Sequence, residues 1–233
     1  MTDRPNDQLR PVSVELGFTE STPGSVLISM GRTRVLCTAA VEAEVPRWMR
    51  DSNKGWVTAE YAMLPGSSPE RVRRDHVSGG RAMEISRLIG RALRAAVNLR
   101  SMGEVMVRVD CDVIEADGGT RTAAITGAWI ALQQALEDAV SREVIATNPV
   151  IDEVAAISVG IVDGEKVLDL DYDKDVQAEV DLNVVMSGRG LLVEVQGTAE
   201  GAPFSRGDLD ELLDLATRGI AELHDMQRRA VAS

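Results

Sequence analysis

The sequence predicts an α+β fold, in which helices and strands do not alternate as they do in a parallel, doubly wound sheet. Three observations indicate this class. Short segments alternate apolar and polar residues as half-buried strands do, longer segments repeat apolar residues at helical spacing, and tight turns with glycine separate them. The resulting order, β-β-β-α-β-α-β-β-β-β-α, favours α+β over regular β-α-β units.

The first part of the chain is predicted to be a set of strands. Residues 11–17, 25–30 and 33–42 fit strand patterns, and a tight turn at Gly31-Arg32 joins the last two. A less regular stretch containing proline, glycine and serine follows over about 46–80. The predicted order contains no element there.

Residues 81–100 are predicted to form an amphipathic helix. One side of the helix carries an apolar stripe, formed by Ile85, Leu88, Ile89, Ala92, Leu93 and Ala96. The opposite side carries the basic residues Arg87, Arg91 and Arg94. Arg81 falls on the apolar stripe, so we expect its charge to point inward and to have a partner. That partner is either an acid such as Glu84 or a bound anion.

The rest of the chain is predicted to contain further strands and two more helices. In order, these are a strand at 104–114, a helix at about 120–139, a hairpin of strands 154–162 and 165–171 around Asp163-Gly164, strands at about 178–187 and 190–198, and a helix from Asp208. No linker, low-complexity tract or strong internal repeat interrupts these elements. Residues 1–233 are therefore expected to form a single domain.

The charge of the chain is unevenly distributed. The net charge is −12, which taken alone argues against nucleic-acid binding. Residues 71–100 nevertheless contain eight arginines against two acids, so this window carries +6 and the rest of the chain −18. Because arginine forks onto phosphate oxygens, one basic band on an acidic body is typical of a phosphate-binding channel. The alternative is a solvated helix face.

Several classes of protein are excluded by motifs that the sequence lacks. It has no P-loop, GxGxxG, GxSxG or HExxH motif. Cys37 and Cys111 lie far apart in predicted strands, and together with two lone histidines they form no zinc pattern. There is neither a signal-peptide pattern nor an apolar stretch of about 18 residues, so we expect a cytoplasmic protein without a membrane span.

The sharpest local feature is the run Ala-Asp-Gly-Gly-Thr-Arg-Thr at 116–122, between a predicted strand and a predicted helix. The two glycines let the backbone turn tightly and approach a ligand closely. Thr120 occupies the expected N-cap position, and the free N–H groups of a first helical turn favour an anion. Arg121 opposes the helix dipole, which indicates a bound anion nearby. The alternative is an ordinary capped helix whose arginine points to water.

Acidic residues form the third candidate feature. Four aspartates alternate between residues 169 and 175, and Asp181 lies in the strand that follows. Paired carboxylates in a loop and an adjoining strand suit a hard cation such as Mg²⁺, or general acid catalysis. The alternative is a solvated acidic run, and the spacing does not match an EF-hand loop.

Taken together, these segments resemble the bacterial RNase PH family over about residues 9–228. The matching stretches are Leu9–Val12, Gly55–Pro65, Gly80-Arg81, Glu84–Arg91, Asp110–Val113, Gly118–Ala123, Val159–Val162 and Glu179–Val185. Gly-Gly-Thr-Arg-Thr and Val-Asp-x-Asn-Val-Val are the most specific of these motifs. The resemblance implies a phosphorolytic 3′→5′ exoribonuclease of the tRNA nucleotidyltransferase class.

The resemblance also implies a role for particular residues. Phosphate is expected at Arg81, Gly119, Thr120 and Arg121, and Asp175 and Asp181 are expected to serve catalysis with Mg²⁺. Among the arginines of the basic band, Arg71, Arg74, Arg87 and Arg91 are the predicted RNA-binding residues. The implied fold is that of ribosomal protein S5 domain 2, assembled as a homohexameric ring, a trimer of dimers. The implied substrate is the 3′ tail of a tRNA precursor, whose nucleotides are released as nucleoside diphosphates, and structured ribosomal RNA is implied to be trimmed as well.

Two alternatives and one departure remain open at this point. The chain could be a non-catalytic RNA-binding subunit of an exosome-like ring, which predicts loss of the acids or of the Thr-Arg pair. It could also be a small-molecule kinase on a related fold, which would need a nucleotide-phosphate loop. Between Arg74-Asp75 and Gly79-Gly80-Arg81 the chain is about three residues shorter than the family pattern, either through a deletion or through a loop missing from the sequence. This departure bears on the RNA-channel and interface contacts of Arg71, Arg73 and Arg74.

Overall fold

In the computed structural model, residues 4–73 and 79–232 are described, and they form two β-sheets and four α-helices. The elements are β1 (Val12–Leu16), β2 (Gly24–Met30), β3 (Thr33–Glu42), a 3₁₀ turn (Arg47–Met49), β4 (Trp56–Met63), α1 (Gly80–Ala95), β5 (Met106–Glu115), α2 (Thr120–Ser141), β6 (Val154–Val162), β7 (Glu165–Leu168), α3 (Tyr172–Gln177), β8 (Val180–Ser187), β9 (Leu192–Ala199) and α4 (Arg206–Val231). The predicted α+β class is confirmed.

The first sheet has five strands in the order β1-β2-β3-β5-β4. Neighbours are antiparallel except for β4 and β5, which run parallel and are joined through α1, as a parallel pair requires. Because the carboxyl ends of parallel strands meet at one edge, Tyr61 near the end of β4 lies close to the segment that follows β5. That segment, Asp117–Gly119, is called the glycine loop below.

The second sheet has four antiparallel strands in the order β7-β6-β8-β9. The predicted Asp163-Gly164 turn joins β6 to β7, and both residues adopt the positive φ that this turn requires. The central strand β6 is buried along its whole length, whereas the edge strand β9 is largely exposed. Asp181 lies in β8, beside that exposed edge strand.

α2 lies between the two sheets and joins them into one hydrophobic core. It is buried on almost every side, as expected for a helix without a polar face. Small residues allow the close approach, since a Cβ at Gly127 would lie 2.7 Å from Ile28 Cγ2 and 2.9 Å from Cys37 Sγ. The start of this rigid central helix carries Thr120 and Arg121, so the core fixes their position.

Several predicted boundaries are corrected by the structure. β4 lies within the stretch 46–80, where no element was predicted, and the short helix α3 divides what was expected to be an acidic loop. α1 ends at Ala95 rather than near residue 100, and α4 begins at Arg206, with Ser205 as N-cap and Asp208 completing the capping box. No helix in the described part of the chain is long and apolar enough to cross a membrane.

Candidate active site

The glycine loop leads from β5 into α2 and has a left-handed backbone at two successive residues. Gly118 has φ +74° and Gly119 has φ +64°. A Cβ at Gly118 would lie 2.5 Å from Leu170 O, and one at Gly119 would lie 3.0 Å from Arg10 Nη2. Both the conformation and the close packing therefore require glycine.

The backbone of the glycine loop is held through its carbonyl groups. Arg10 Nη1 donates to Asp117 O at 2.5 Å, Thr33 Oγ1 donates to Gly118 O at 2.6 Å, and Thr122 Oγ1 donates to Gly119 O at 2.9 Å. By contrast, the N–H groups of residues 118–121 reach no acceptor in the described part of the chain. An array of free N–H groups at the start of a helix is an anion-binding arrangement.

Thr120 is the first residue of α2 and not its N-cap, which is Gly119. The sequence prediction was wrong here because the left-handed Gly119 begins the helix without a side-chain cap. The hydroxyl of Thr120 instead lies 2.8 Å from the Tyr61 hydroxyl. Both side chains are buried, so this hydrogen bond fixes the Thr120 hydroxyl from inside the protein, beside the free N–H groups.

Arg121 extends from the first turn of α2 toward β9. Its Nη1 donates to Gln196 Oε1 at 3.1 Å and lies 3.6 Å from Glu84 Oε2. Gln196 in turn donates to Glu84 Oε1 at 3.0 Å. The guanidinium is thus held near the helix start by two partners, although this position is unfavourable for a cation in the field of the helix.

Arg81 does not point into the core as predicted. It is exposed in the first turn of α1, beyond the end of the apolar stripe, so the helical periodicity does not bury it. Glu84, the acid named as one of the two alternative partners of Arg81, lies against Arg121 and Gln196 instead. Arg81 still lies close to the candidate acids, since its charge lowers the pKa of Asp175 against the larger effect of burial.

The two predicted catalytic acids are brought together by α3 and β8. The pKa of Asp181 is raised from 3.8 to about 6, mainly by burial and then by the charge of Asp175, whereas the charge of Arg121 and a hydrogen bond from Asn183 act in the opposite direction. Asp175 lies on the exposed side of α3, but partial burial of its carboxylate raises its pKa as well. The Asp181 Oδ1 atom is buried and has no hydrogen-bond partner within residues 4–73 and 79–232.

This pair of carboxylates fits a hard divalent cation. Two negatively charged groups near each other, one with an unpartnered buried oxygen, suit Mg²⁺, which often uses one or two protein carboxylates together with substrate phosphates. Among the described residues there is no group of three or more His, Cys, Asp or Glu residues that could hold a metal alone. Asp175 and Asp181 are therefore a partial site at most, which a substrate would have to complete.

A buried ion pair connects the glycine loop to the segment that carries α3. Arg10 Nε and Nη2 donate to the two carboxylate oxygens of Asp169 at 2.9 and 2.6 Å, and the Arg10 backbone N–H donates at 2.8 Å. The remaining Arg10 nitrogen holds Asp117 O. Two residues further along, Asp171 caps α3 by accepting from Lys174 N. The arrangement fixes the glycine loop relative to Asp175.

The predicted RNA-binding arginines differ in their surroundings. Arg87 is exposed and borders a cleft of about 290 Å³, together with Gly80, Met83, Glu84, Arg91 and Gln196. Arg91 lies at the same cleft but forms a bidentate ion pair with Glu194 at 2.7 and 2.8 Å. Arg71 is exposed before α1, and Arg74 lies outside the described residues.

Arg94 belongs to a structural contact, although the helical wheel placed it with Arg87 and Arg91. Its guanidinium lies 4.4 Å from the centroid of the Trp56 ring, and its Nη1 donates to Val57 O at 2.8 Å. It therefore joins α1 to β4.

The comparison with protein families decides what kind of protein this site belongs to. Domain 1 of the 3′ exoribonuclease family, the RNase PH family, matches residues 8–136, and domain 2 of the same family matches residues 152–219. The chain belongs to this family. The two matches divide the chain between its two sheets, so the expectation of a single domain over residues 1–233 stays a prediction.

Curated relatives agree with this assignment over nearly the full length. Proteins named Ribonuclease PH from Corynebacterium efficiens, Synechococcus sp. and Methylobacterium radiotolerans are 53%, 54% and 55% identical. The matches cover 98%, 96% and 98% of this chain, and 94%, 91% and 98% of the relatives. The predicted class, a phosphorolytic 3′→5′ exoribonuclease, is confirmed for this RNase PH family member.

Solved structures agree in fold at low sequence identity. An Archaeoglobus fulgidus exosome with RNA bound to the active site has a TM-score of 0.81 at 22% identity, covering 96% of this chain and 90% of that chain. Rice Rrp46 has a TM-score of 0.80 at 19% identity, covering 99% of both chains. These similarities support the RNase PH fold.

Three residues at the site were not recognised from the sequence as site residues. Arg10 and Tyr61 lie in stretches quoted only for the family resemblance, and Gln196 was part of a predicted strand. A buried Arg–Asp pair between residues 10 and 169 leaves no local pattern, because its partners come from distant parts of the chain. For Tyr61 the alternation of β4 was an available signal, since it places the ring on the buried face.

Proposed function

We propose that the site formed by the glycine loop, Arg81, Arg121, Asp175 and Asp181 performs phosphorolysis of the 3′-terminal phosphodiester of RNA. The observation that carries the proposal is the set of free N–H groups at residues 118–121, adjacent to Arg121 and to the acid pair. Inorganic phosphate is the anion that a family member of this kind uses as co-substrate. We assign the reacting phosphodiester to the acids, because the charge of Arg121 acts on the pKa of both Asp175 and Asp181.

The phosphate-binding part of the site orients the nucleophile. We assign Gly119, Thr120, Arg121 and Arg81 to inorganic phosphate, whose charge the helix start and the two guanidinium groups stabilise. A phosphate oxygen forms the new bond to the phosphorus of the last nucleotide, and the bond from that phosphorus to the 3′ oxygen of the preceding nucleotide breaks in line with it. The product is a nucleoside 5′-diphosphate. Holding both anions together offsets their mutual repulsion and supplies the orientation that the reaction needs.

The acidic part of the site serves the leaving group. With its pKa raised to about 6, Asp181 can hold a proton near neutral pH and donate it to the departing 3′ oxygen. Alternatively, Asp175 and Asp181 are both ionised and hold Mg²⁺ through their carboxylate oxygens. A bound Mg²⁺ would supply positive charge to the scissile phosphate. Both roles use the same two side chains, and the pH profile of an Asp181 variant separates them.

The RNA is proposed to reach the site along the exposed side of α1. Arg87 is the best-placed phosphate contact, since it borders both the larger cleft and a second one of about 230 Å³ next to Tyr61. Arg91 can take part only by sharing its guanidinium with Glu194, and Arg71 and Arg74 precede the helix. We propose 3′ tails of tRNA precursors as the principal substrate and structured ribosomal RNA as a second one.

The decisive experiment is an analysis of the reaction products. Purified protein is incubated with a 3′-labelled, single-stranded RNA and Mg²⁺, either with inorganic phosphate or in phosphate-free buffer. We expect nucleoside diphosphates with phosphate and no reaction without it. Nucleoside monophosphates in phosphate-free buffer would contradict phosphorolysis, and the absence of any product under both conditions would favour a non-catalytic ring subunit.

We further propose that six copies assemble into a ring, as a trimer of dimers. Two of the solved structures similar in fold are archaeal exosomes, and the chain exposes large apolar residues such as Leu191, Leu192 and Val195 at and beside edge strand β9. Sedimentation equilibrium tests the assembly. We expect a mass about six times the 25.1 kDa of one chain, whereas a monomer would contradict the proposal.

A further inference from the structure

The Tyr61 hydroxyl occupies a defined place behind the candidate phosphate site. Tyr61 is 2% exposed, and its hydroxyl lies 2.8 Å from Thr120 Oγ1. The backbone N–H of Tyr61 donates to Ser86 Oγ at 3.0 Å, and Ser86 donates to Ala82 O at 2.7 Å. The tyrosine is thus fixed to α1 by its backbone and reaches α2 with its hydroxyl.

The geometry determines the direction of this hydrogen bond. Thr120 is the one partner of the Tyr61 hydroxyl among the described residues, and the contact is buried. If Thr120 donated to Tyr61, the phenolic proton would remain buried without an acceptor, which is costly. Tyr61 therefore donates to Thr120 Oγ1, and the Thr120 proton stays available for an acceptor such as an anion bound by the free N–H groups of the helix start.

The charges around the hydroxyl are consistent with this direction. Burial raises the pKa of Tyr61, although the Thr120 bond and the charges of Arg81 and Arg121 act to lower it. The phenol therefore keeps its proton at neutral pH. The same two arginines that are assigned to phosphate lie within electrostatic reach of Tyr61, so the hydroxyl pair lies at the base of the proposed phosphate site.

We propose that Tyr61 is a positioning residue for inorganic phosphate, which holds the Thr120 side chain in one rotamer and directs its hydroxyl proton to a phosphate oxygen. The proposal rests on the phosphorolytic function above and adds a residue to it. A chain of two hydroxyl groups strengthens the outer bond, because each bond polarises the next. Thr120 touches the phosphate, and Tyr61 acts through Thr120.

The test is a double-mutant cycle with Tyr61→Phe and Thr120→Val, read as the KM for phosphate and for RNA separately. Tyr61→Phe removes one oxygen and keeps the ring. We expect the KM for phosphate to rise about three- to tenfold, the net worth of one hydrogen bond, while the KM for RNA stays unchanged. Thr120→Val should raise the KM for phosphate at least as much, and the double variant should equal Thr120→Val alone.

A conservative variant separates positioning from a general packing role. Thr120→Ser keeps the hydroxyl but removes the methyl group that restricts its rotamers. With Tyr61 present, we expect this variant to raise the KM for phosphate by less than Thr120→Val does. In the Tyr61→Phe background, the same change should raise the KM for phosphate further. The matched control is Tyr172→Phe, because Tyr172 is exposed on α3, and its phosphate KM should stay unchanged.

Each other outcome points to a different conclusion. Additive effects in the cycle, or an equal rise of both KM values after Tyr61→Phe, would overturn the positioning role. An unchanged phosphate KM in Tyr61→Phe beside a raised one in Thr120→Val would also overturn it, but would leave the phosphorolytic function intact. Loss of that function would appear separately, as phosphate-independent cleavage by the unmodified protein. If Tyr61→Phe has a low melting temperature, phosphate binding is measured instead as the increase in melting temperature when phosphate is added. An increase equal to that of the unmodified protein would overturn the proposal.

Discussion

The ionised carboxylate of Asp181 opposes folding at neutral pH, because it is partly buried, lies near Asp175 and leaves one oxygen without a hydrogen-bond partner among the described residues. Its pKa rises from 3.8 to about 6, so the folded state binds this proton more tightly than the unfolded chain does. Protonation of Asp181 contributes its full stabilisation of the folded state below about pH 4, and this contribution is lost as the pH rises from about 4 through about 6. This rise corresponds to a penalty on the order of 2–3 kcal/mol at pH 7.

Asp181→Asn should therefore make the metal-free protein more stable at pH 7.5. The neutral amide avoids the burial of a charge, so we expect the melting temperature to increase by several degrees. At pH 4 the gain should nearly disappear, because Asp181 in the folded, unmodified protein is then protonated and carries no charge. Melting curves in the presence of a chelator measure this, with exposed Asp173→Asn as the control in α3. A gain that does not depend on pH would contradict the assigned cause.

The same substitution should abolish most of the activity. We expect phosphorolysis by Asp181→Asn to fall by about 10²–10⁴-fold, the usual contribution of a positioned acid or base, while Asp173→Asn retains its rate. In the unmodified protein, a rate that falls as pH rises above about 6 favours Asp181 as a proton donor. A rate that rises through the same range favours the ionised, metal-binding form. An Asp181→Asn enzyme with full activity would exclude both roles.

The alternating aspartates show how far single residues can be interpreted from sequence. The spacing predicted an acidic cluster, and Asp175 does lie near Asp181. Asp169, however, is completely buried against Arg10, Asp171 caps α3, and Asp173 is exposed. These roles depend on a left-handed backbone at Asp169 and on a partner from the other end of the chain. Neither leaves a trace in the local spacing.

At the scale of elements, the glycine loop is held against the segment before α3. Gly118→Ala should break this contact, because a Cβ there would lie 2.5 Å from Leu170 O and because φ is +74°. We expect phosphorolysis to fall on the order of 100-fold, since a displaced phosphate site loses its alignment with the acids. The measurement is kcat/KM for phosphate at saturating RNA.

The hairpin turn β6–β7 offers a matched control for this substitution. Gly164 has a similar φ of +77°, but no atom in the described part of the chain lies within 4 Å of a Cβ placed there. Gly164→Ala should therefore cost only the left-handed backbone strain of about 1–2 kcal/mol, and the variant should keep its phosphorolytic rate. Equal losses of activity in both variants would mean that general instability, rather than the close packing of the glycine loop, is responsible.

The Arg10–Asp169 pair should dominate the stability of this region. Asp169→Asn leaves the guanidinium of Arg10 buried without its counter-charge, so we expect a loss of about 3–5 kcal/mol in the free energy of unfolding. The exposed pair of Arg206 and Asp210 in α4 is the control, and Asp210→Asn should change stability by less than about 0.5 kcal/mol. Urea titrations measure both. Similar losses in the two variants would contradict a special role for the buried pair.

Elements were predictable where one pattern was strong and local. The hairpins at Gly31 and Gly164 and the three long helices followed from turn residues and periodicity. β4 was missed although Trp56, Val57, Thr58 and Tyr61 favour strands, because the prolines, glycines and serines around it made the whole stretch look irregular, and because its partner β5 lies beyond α1. Arg81 was misplaced because periodicity does not show where the core ends along a helix.

The whole molecule combines an acidic body with one basic band, and this contrast has a measurable consequence. The net charge of −12 repels RNA at a distance, so binding depends on arginines at the correct position rather than on overall charge. Arg87 borders both clefts next to the proposed phosphate site, whereas Arg100 is exposed after the end of α1. Replacing either residue by alanine changes the net charge of the molecule by the same amount.

Arg87→Ala and Arg100→Ala therefore distinguish RNA binding at a local channel from RNA attraction by the overall charge of the molecule. With a single-stranded RNA in phosphate-free buffer, we expect Arg87→Ala to weaken binding and to reduce the slope of log K against log salt by about 0.7, the loss of one phosphate contact. Arg100→Ala should retain both the affinity and the slope. Fluorescence anisotropy at several salt concentrations measures both quantities. An equal loss of RNA affinity in the two variants would mean that the net charge controls RNA binding, and it would contradict the proposal that RNA binds along α1.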